Sequence, residues 1–337
     1  MTDDASIFIE DVLDAMDALK GIVIRSPLLE NPEANERLGG RFLIKAESMQ
    51  RTGAFKIRGA YNRIRLMSVE EKRNGVIAYS SGNHAQGVAL ASRLLNTTAL
   101  IVMPDDTPSA KKTATQRLGA KIVTFNRDTE SSDEIVASLS RETGRIVVPP
   151  SGNAQVLAGA GTAALELFEQ AQHLNTHMDS VLVPCGGGGL TAATALIMQI
   201  KSPRTEVYSV EPELFDDTRR SLAAGQRVEN PKGRRTICDS IMTPMPNEMT
   251  FSINRRLLAG GLATSDDEVR RAMRFAFETF KIAVEPGAAV GIAAVLSGKI
   301  GIRDRTVATI VTGGNINPER FHDLISSAPV KQKRSVV

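Results

Sequence analysis

One stretch of the chain places a short strand, four glycines and a helix in direct succession. The apolar residues 180–183 predict the strand, and residues 191–200 predict the helix. Between them lie Gly186, Gly187, Gly188 and Gly189. Glycines at such a junction leave backbone N–H groups free to converge on one anion at the helix N-terminus. Flexible turns and nucleotide loops also use glycine runs. The segment therefore predicts a phosphate-binding loop that continues into Leu190.

A lysine beside an aromatic residue is a second informative feature of the sequence. Phe55 and Lys56 stand between Gly53 and Gly59. Schiff-base chemistry needs one amine close to a ring that can be stacked. Taken alone, Lys56 also fits a solvated helix lysine, and Phe55 fits a core aromatic. Because the glycine run accompanies them, the pair predicts pyridoxal 5'-phosphate as the cofactor.

Short apolar runs alternate with helical patterns along the chain, which is typical of an α/β fold with parallel sheets covered by helices. The predicted strands are 41–45, 75–79, 99–103, 121–125, 145–148, 181–183, 206–210 and 306–311. The predicted helices are 11–19, 54–68, 85–95, 109–118, 132–141, 156–172, 191–200 and 266–280. No repeat or low-complexity linker divides the 337 residues.

Composition excludes several classes of function. With 42% hydrophobic residues the chain can bury a large core, and a net charge of +3 does not favour a nucleic-acid partner. The one concentrated basic stretch is residues 331–334. No run of eighteen apolar residues exists and residues 1–4 are acidic, so we expect no membrane partner, no signal peptide and a cytoplasmic location. Cys185 and Cys238 are too few for a disulfide framework.

Six motifs together resemble the type II fold pyridoxal-phosphate enzymes, and within them the short threonine/serine dehydratases and serine racemases. The motifs are residues 48–60, 80–87, 158–162, 186–189, 284–288 and 312–315. The resemblance implies a tryptophan synthase β-like α/β fold with two open, twisted, mostly parallel sheets flanked by helices. It also implies a large cofactor-binding domain (1–74 and 151–337), a small mobile domain (75–150) that closes over the substrate, and a homodimer or higher homo-oligomer.

The resemblance also implies roles for the cofactor-binding residues. Lys56 would form the Schiff base and then remove the α-proton, while Phe55 packs against the pyridine ring. Asn83 would hydrogen-bond the phenolic oxygen, and Thr312 would face the pyridine nitrogen. A neutral hydroxyl there weakens the ring as an electron sink, which favours prompt β-elimination. Thr312 could instead cap a glycine turn.

A polar segment, Ser80, Ser81, Gly82, Asn83 and His84, ends a strand and opens a helix. Its hydroxyl and N–H groups at a positive helix end suit a substrate carboxylate, although serine and asparagine also cap helices. By resemblance, Ser81 is a second acid/base on the ring face opposite Lys56, as in the racemases. Reprotonation from that face would invert the α-carbon.

An acidic segment after the strand 206–210 resembles the metal site of the metal-activated members. The resemblance maps Mg²⁺ or Ca²⁺ ligands onto Glu211, the carbonyl of Phe215 and Asp217. Hard oxygen ligands suit both ions. An ordinary acidic surface loop is the alternative.

These observations predict a lyase, an ammonia-lyase that eliminates water from a β-hydroxy amino acid and yields a 2-oxo acid and ammonia. L-Threonine or L-serine is the expected small-molecule substrate. Residues 149–155, Ala160 and residues 238–240 depart from the family pattern. Racemisation, and dehydration of 3-hydroxyaspartate or a hydroxyectoine-derived compound, therefore stay open. A dinucleotide-binding reductase fits less well, because the loop lacks the Gly-x-Gly-x-x-Gly spacing.

Overall fold

The computed structural model describes residues 7–126 and 128–328. The acidic residues 1–4 and the basic stretch 331–334 lie outside this part of the chain. No helix in the described part is both long and apolar enough to cross a bilayer.

The strands form two sheets. They are β1 (Leu28–Glu30), β2 (Arg41–Ala46), β3 (Val76–Tyr79), β4 (Ala99–Pro104), β5 (Lys121–Phe125), β6 (Ile146–Val147), β7 (Ser180–Pro184), β8 (Glu206–Pro212), β9 (Gly260–Thr264) and β10 (Thr306–Val311). The large sheet has the order β1-β2-β10-β7-β8-β9, and the small sheet has the order β5-β4-β3-β6. β1 runs antiparallel to β2, and the other described pairs are parallel. The predicted fold class is confirmed.

Helices cover both sheets. They are α1 (Ile9–Leu19), α2 (Pro32–Leu38), α3 (Lys56–Arg65), α4 (Val69–Asn74), α5 (Asn83–Leu94), α6 (Ser109–Arg117), α7 (Ser132–Thr143), α8 (Ala154–His173), α9 (Gly189–Lys201), α10 (Asp217–Ala224), α11 (Glu248–Leu257), α12 (Asp266–Phe275), α13 (Val290–Leu296) and α14 (Pro318–Ser326). α8 packs against both α3 and α9 and buries most of its length.

Two predicted helices need correction. The helix predicted over 54–68 begins at Lys56, because Ala54 forms a β-bridge with Gly313 instead. It ends at Arg65, and Ser68 caps the separate helix α4. The helix predicted over 266–280 is α-helical only to Phe275 and continues as a π-helix over Ala276–Phe280.

β10 lies at the centre of the large sheet between β2 and β7, and all six of its residues are buried. Because these three strands are parallel, their carboxyl ends lie at one edge of the sheet. Ligands of open α/β sheets bind outside the carboxyl ends of the strands. The glycine run after β7 and Thr312 after β10 both lie at this edge.

The four strands of the small sheet all lie between residues 76 and 147. Its core contains Val76, Ala78, Ile101 and Met103, packed against Ile57 and Ala60 of α3. The small sheet therefore lies inside the predicted 75–150 segment, and the domain boundary itself stays a prediction.

Candidate active site

Lys56 begins α3 beside the end of β10. The Phe55 N–H donates to the carbonyl of Thr312 at 3.1 Å, and Ala54 pairs with Gly313. This pairing fixes the chain just before the lysine. It also places two sequence-predicted residues, Lys56 and Thr312, next to each other.

The Lys56 side chain is half-buried in the site. Nζ donates to the carbonyl of Pro150 at 2.9 Å and lies 5.0 Å from the centre of the Phe55 ring. Burial lowers the pKa of Lys56 to about 8, against the opposing charge of Glu285. A larger fraction of this amine is therefore neutral, and nucleophilic, near pH 7 than for an ordinary lysine.

Buried charges anchor α3 below the lysine. Arg58 contacts Glu47 and Glu166 at 2.8 Å each, and Lys45 Nζ lies 2.6 Å from Glu166 Oε2. Two cations thus face two carboxylates, and the Arg58 side chain is fully buried. This cluster joins the start of α3 to α8 and to the chain that follows β2.

Asn83, the first residue of α5, belongs to a hydrogen-bond network that spans the site. Its Nδ2 donates to Glu285 Oε1 at 2.6 Å, and its Oδ1 accepts from Asn315 Nδ2 at 2.7 Å. Asn315 also donates to the carbonyl of Thr52. Because Asn315 fixes the amide orientation, the second Nδ2 hydrogen of Asn83 can donate to another acceptor. Glu285 and Asn315 lie in motifs that the sequence singled out without assigning them roles.

Glu285 is buried in this network, with its N–H bound to the carbonyl of Gly313. Burial raises the pKa of Glu285 to about 7, although the hydrogen bond from Asn83 lowers it. A Cβ on Gly313 would lie 2.5 Å from Glu285 Oε1. The glycine after Thr312 therefore leaves room for this carboxyl group.

His84 is buried and neutral. Its Nε2 lies 2.8 Å from the carbonyl of Val148, so Nε2 carries the proton, and its Nδ1 is buried without a partner among the described residues. Burial, and then the charge of Lys56, lower the pKa of His84 to about 3. His84 and Lys56 thus contact two carbonyls, of Val148 and Pro150, on the same segment.

The N-terminus of α5 is open. Gly82 is the N-cap, no described side chain caps the helix, and Ser80 Oγ instead accepts the Gly82 N–H at 3.1 Å. Ser81 lies between them, half-buried. The capping alternative for Asn83 is wrong, because its amide is engaged by Glu285 and Asn315. Backbone N–H groups at this end are available to an anion, as a substrate carboxylate would require.

The glycine run forms the turn from β7 into α9. Its carbonyls are held from α11: Thr250 Oγ1 donates to Gly187 O at 2.7 Å, and Asn254 Nδ2 donates to Gly188 O at 3.3 Å. Gly188 has φ +80°, and a Cβ on Gly187 would collide with Ser151 Oγ. Side chains at Gly187 and Gly188 would therefore collide with their neighbours or strain the backbone. The sequence does not single out Thr250 and Asn254, because neither residue lies in a motif.

These residues fit pyridoxal phosphate. Lys56 could supply the amine for its aldehyde, and a glycine cradle at the uncapped start of α9 could supply N–H groups for its phosphate. Phe55 lies beside the amine, Asn83 has a free amide hydrogen, and Thr312 closes the end of β10. Leu190 is buried in the first turn of α9.

The predicted metal ligands have protein partners. Glu211 is fully buried and accepts the N–H groups of Thr218 and Arg219 at 2.8 and 2.7 Å. Asp217 accepts Asn230 Nδ2 at 2.6 Å, and its Oδ2 is buried without a partner among the described residues. Phe215 is buried as well. The surface-loop alternative is wrong, since both carboxyl groups are buried. In residues 7–126 and 128–328, no cluster of three or more His, Cys, Asp or Glu side chains could hold a metal ion.

The comparison with known families identifies the chain. Residues 19–313 match the family described as "Pyridoxal-phosphate dependent enzyme". The chain belongs to this family. It is 41% identical over 318 residues to the L-threo-3-hydroxyaspartate ammonia-lyase of Saccharomyces cerevisiae, covering 94% of this chain and 95% of the relative. It is 34% identical to the serine racemase of Schizosaccharomyces pombe, covering 94% and 97%.

Solved structures of this family share the fold. The serine racemase of maize superposes with a TM-score of 0.89 at 30% identity, covering 95% of this chain and 97% of that one. This pyridoxal-phosphate dependent enzyme is a lyase of the dehydratase and racemase group, as the sequence predicted.

Proposed function

We propose that this enzyme removes water from a β-hydroxy amino acid and releases a 2-oxo acid and ammonia. The observation that carries the proposal is the half-buried Lys56 amine, with its lowered pKa, near Glu285 of the Asn83–Glu285 network. The ammonia-lyase activity named for the Saccharomyces relative supports it.

The cofactor, when bound, withdraws electrons from the substrate α-carbon and so acidifies the α-proton. In the proposal, Lys56 Nζ takes that proton, for which a pKa near 8 suits a general base. Asn83 orients the cofactor through its second amide hydrogen, and the open N-terminus of α5 holds the substrate carboxylate with Ser80 and Ser81. His84 stays neutral and supports the Val148–Pro150 segment that borders Lys56.

The proposed reaction balances without an external oxidant or reductant. The substrate loses its α-proton and its β-hydroxyl group as one water molecule and becomes an enamine. The enamine tautomerises to an imine, and one water molecule then hydrolyses the imine to the 2-oxo acid and ammonia. The net change is deamination.

Racemisation is the second candidate, supported by the similarity to the Schizosaccharomyces serine racemase and by Ser81. Ser81 lies in the segment just before α5, and in this proposal its hydroxyl group would act on the α-carbon from the face away from Lys56. Both activities would use the same lysine.

A divalent cation at Glu211, the Phe215 carbonyl and Asp217 stays a prediction. The unpartnered Asp217 Oδ2 supports it, as does the pKa of Glu211, which burial and the nearby Asp217 charge raise well above its usual range. The backbone N–H groups that already donate to both carboxylate oxygens of Glu211 argue against it. The division into domains, the homo-oligomer and the cytoplasmic location also stay predictions.

Replacing the lysine tests the proposed function. Lys56→Met should abolish 2-oxo acid formation from L-serine, L-threonine and L-threo-3-hydroxyaspartate, because no amine remains to take the α-proton. Borohydride reduction followed by mass spectrometry should find the cofactor attached to Lys56 in the wild type. Lys121→Met, at an exposed lysine of β5, is the matched control and should keep full activity. Turnover by Lys56→Met, or attachment at another lysine, would contradict the proposal.

A further inference from the structure

Lys111 reaches from the small-sheet part of the chain to the large-sheet part. It lies in the first turn of α6, and its Nζ is 3.3 Å from Oδ2 of Asp239. Asp239 begins a short 3₁₀ turn, Asp239–Ile241. The two side chains are 31% and 44% exposed, so solvent reaches both partners.

The Asp239–Ile241 turn borders the active site. Ser240 lies close enough to the Glu285 carboxyl group to lower its pKa, and Glu285 accepts a hydrogen bond from Asn83. The Cα of Ile241 lies 3.2 Å from where a Cβ on Gly186 would be. The ammonium group of Lys111 is therefore held beside the wall that contains Glu285 and the glycine loop.

The charges of this pair also reach the site. Beyond the larger effect of burial, the charge of Asp239 raises the pKa of Glu285 and the charge of Lys111 lowers it. An ammonium close enough to act on Glu285 is close enough to attract a second negative group on a substrate bound there.

Helix stability does not explain this lysine. The first turn of a helix disfavours cations, because its N-terminus carries partial positive charge. The next residue, Lys112, has a structural partner, since its Nζ donates to the carbonyl of Asp105 at 2.7 Å. Among the described residues, the side chain of Lys111 has only the exposed pair with Asp239, and such pairs contribute little to stability.

We propose that Lys111 binds the distal carboxylate of a dicarboxylic β-hydroxy amino acid, exchanging Asp239 for the substrate. Exchange of one carboxylate for another at a solvent-accessible ammonium keeps the charge paired throughout. Serine and threonine have no second carboxylate to take that place. The inference rests on the proposed function, and it makes 3-hydroxyaspartate, the compound named for the Saccharomyces relative, the preferred substrate.

The test compares substrates in the holoenzyme. The quantity measured is kcat/KM for L-threo-3-hydroxyaspartate divided by kcat/KM for L-serine. Lys111→Gln should lower this ratio roughly 10- to 100-fold, the usual loss of a charge-assisted hydrogen bond, and mainly through KM for the dicarboxylate. Lys111→Arg should recover most of the ratio. Lys112→Gln is the matched control and should leave it unchanged.

A binding measurement gives a readout independent of turnover. Malate carries two carboxylates and a hydroxyl group but no amine, so it can occupy the site without reacting. Calorimetry should show weaker malate binding to the Lys111→Gln holoenzyme and equal lactate binding to both proteins. An unchanged substrate ratio in Lys111→Gln, or a wild type that prefers serine, would overturn the role of Lys111. A wild type that forms no 2-oxo acid from any hydroxy amino acid would overturn the proposed function itself.

Discussion

The buried carboxyl group of Glu285 should make the stability of the protein depend on pH. Its ordinary pKa is 4.5, and burial raises it to about 7 in the folded protein. Between these values the folded state binds more protons than the unfolded state, so stability falls as pH rises through this window. The stabilisation that the protonated group provides is complete below pH 4.5 and lost above pH 7.

Glu285→Gln should remove that pH dependence while keeping the hydrogen bond from Asn83. The free energy of unfolding of the variant, minus that of the wild type, should rise by up to about 3 kcal/mol from pH 5 to pH 8. Urea unfolding of both apo-proteins at the two pH values measures the gain. Glu142→Gln, at an exposed position of α7, should show none. An equal difference at both pH values would mean that Glu285 is ionised throughout.

Ser81 is the residue proposed to divide the product between elimination and racemisation. If it is the second acid/base, Ser81→Ala should remove D-serine formation and keep much of the 2-oxo acid formation, because elimination needs only the lysine face. Chiral chromatography and a 2-oxo acid assay on the same reaction with L-serine measure both products. Parallel loss of the two would instead identify Ser81 as a binding residue for both reactions.

At the scale of elements, the strands were largely predictable and the short helices were not. Parallel strands buried on both faces are apolar runs, and β4 and β10, which are of this kind, begin at the predicted residues. The more exposed strand β5 also begins where predicted. The sequence did not predict six helices of ten residues or fewer, because short helices give little periodicity. They are α2, α4, α10, α11, α13 and α14. It also missed β9, which begins with two glycines.

The glycine turn before α9 makes a prediction at this scale. Gly187→Asp should lower pyridoxal-phosphate affinity at least about 100-fold, because a carboxylate would face a dianion where a Cβ already collides with Ser151. Equilibrium dialysis of the apo-protein measures the affinity. Gly187→Ala combined with Ser151→Gly relieves the collision without adding charge and should bind far better than Gly187→Asp. Equal affinities in the two variants would assign the loss to shape alone.

For the whole molecule, the sequence could predict which strand ends meet but not what packs over them. The parallel rule brings Gly186 and Thr312 to one edge of the large sheet. The Asn83–Glu285 contact joins residues 202 positions apart, and it depends on how the small sheet packs against the large one. The sequence also could not predict the buried charge cluster. Charged residues usually lie at the surface, and nothing in the sequence marks Lys45, Glu47 and Arg58 as buried.

Mutations in that cluster should lower the free energy of unfolding more than other mutations in this part of the protein. Arg58→Met leaves Glu47 without its cation and Glu166 with Lys45 alone, and breaking a buried pair in this way costs about 3–5 kcal/mol. Adding Glu47→Gln should recover part of that loss. Urea unfolding measures both variants, and Arg63→Met, at a half-buried arginine of the same helix, is the comparison. A loss below about 1 kcal/mol in Arg58→Met would show that water enters the cluster.

The hydrogen bond from Lys56 to Pro150 has a consequence for the protein before it receives its cofactor. The chain that leaves β6 for α8 is held at two neighbouring carbonyls, Val148 by His84 and Pro150 by Lys56. If the Lys56 nitrogen forms a Schiff base, as proposed, Pro150 loses this donor, while Val148 keeps its hydrogen bonds to His84 and to the carbonyl of Ile77. In the proposed function, cofactor binding would therefore break one contact of the segment between β6 and α8, so the freedom of this segment would depend on whether the cofactor is present.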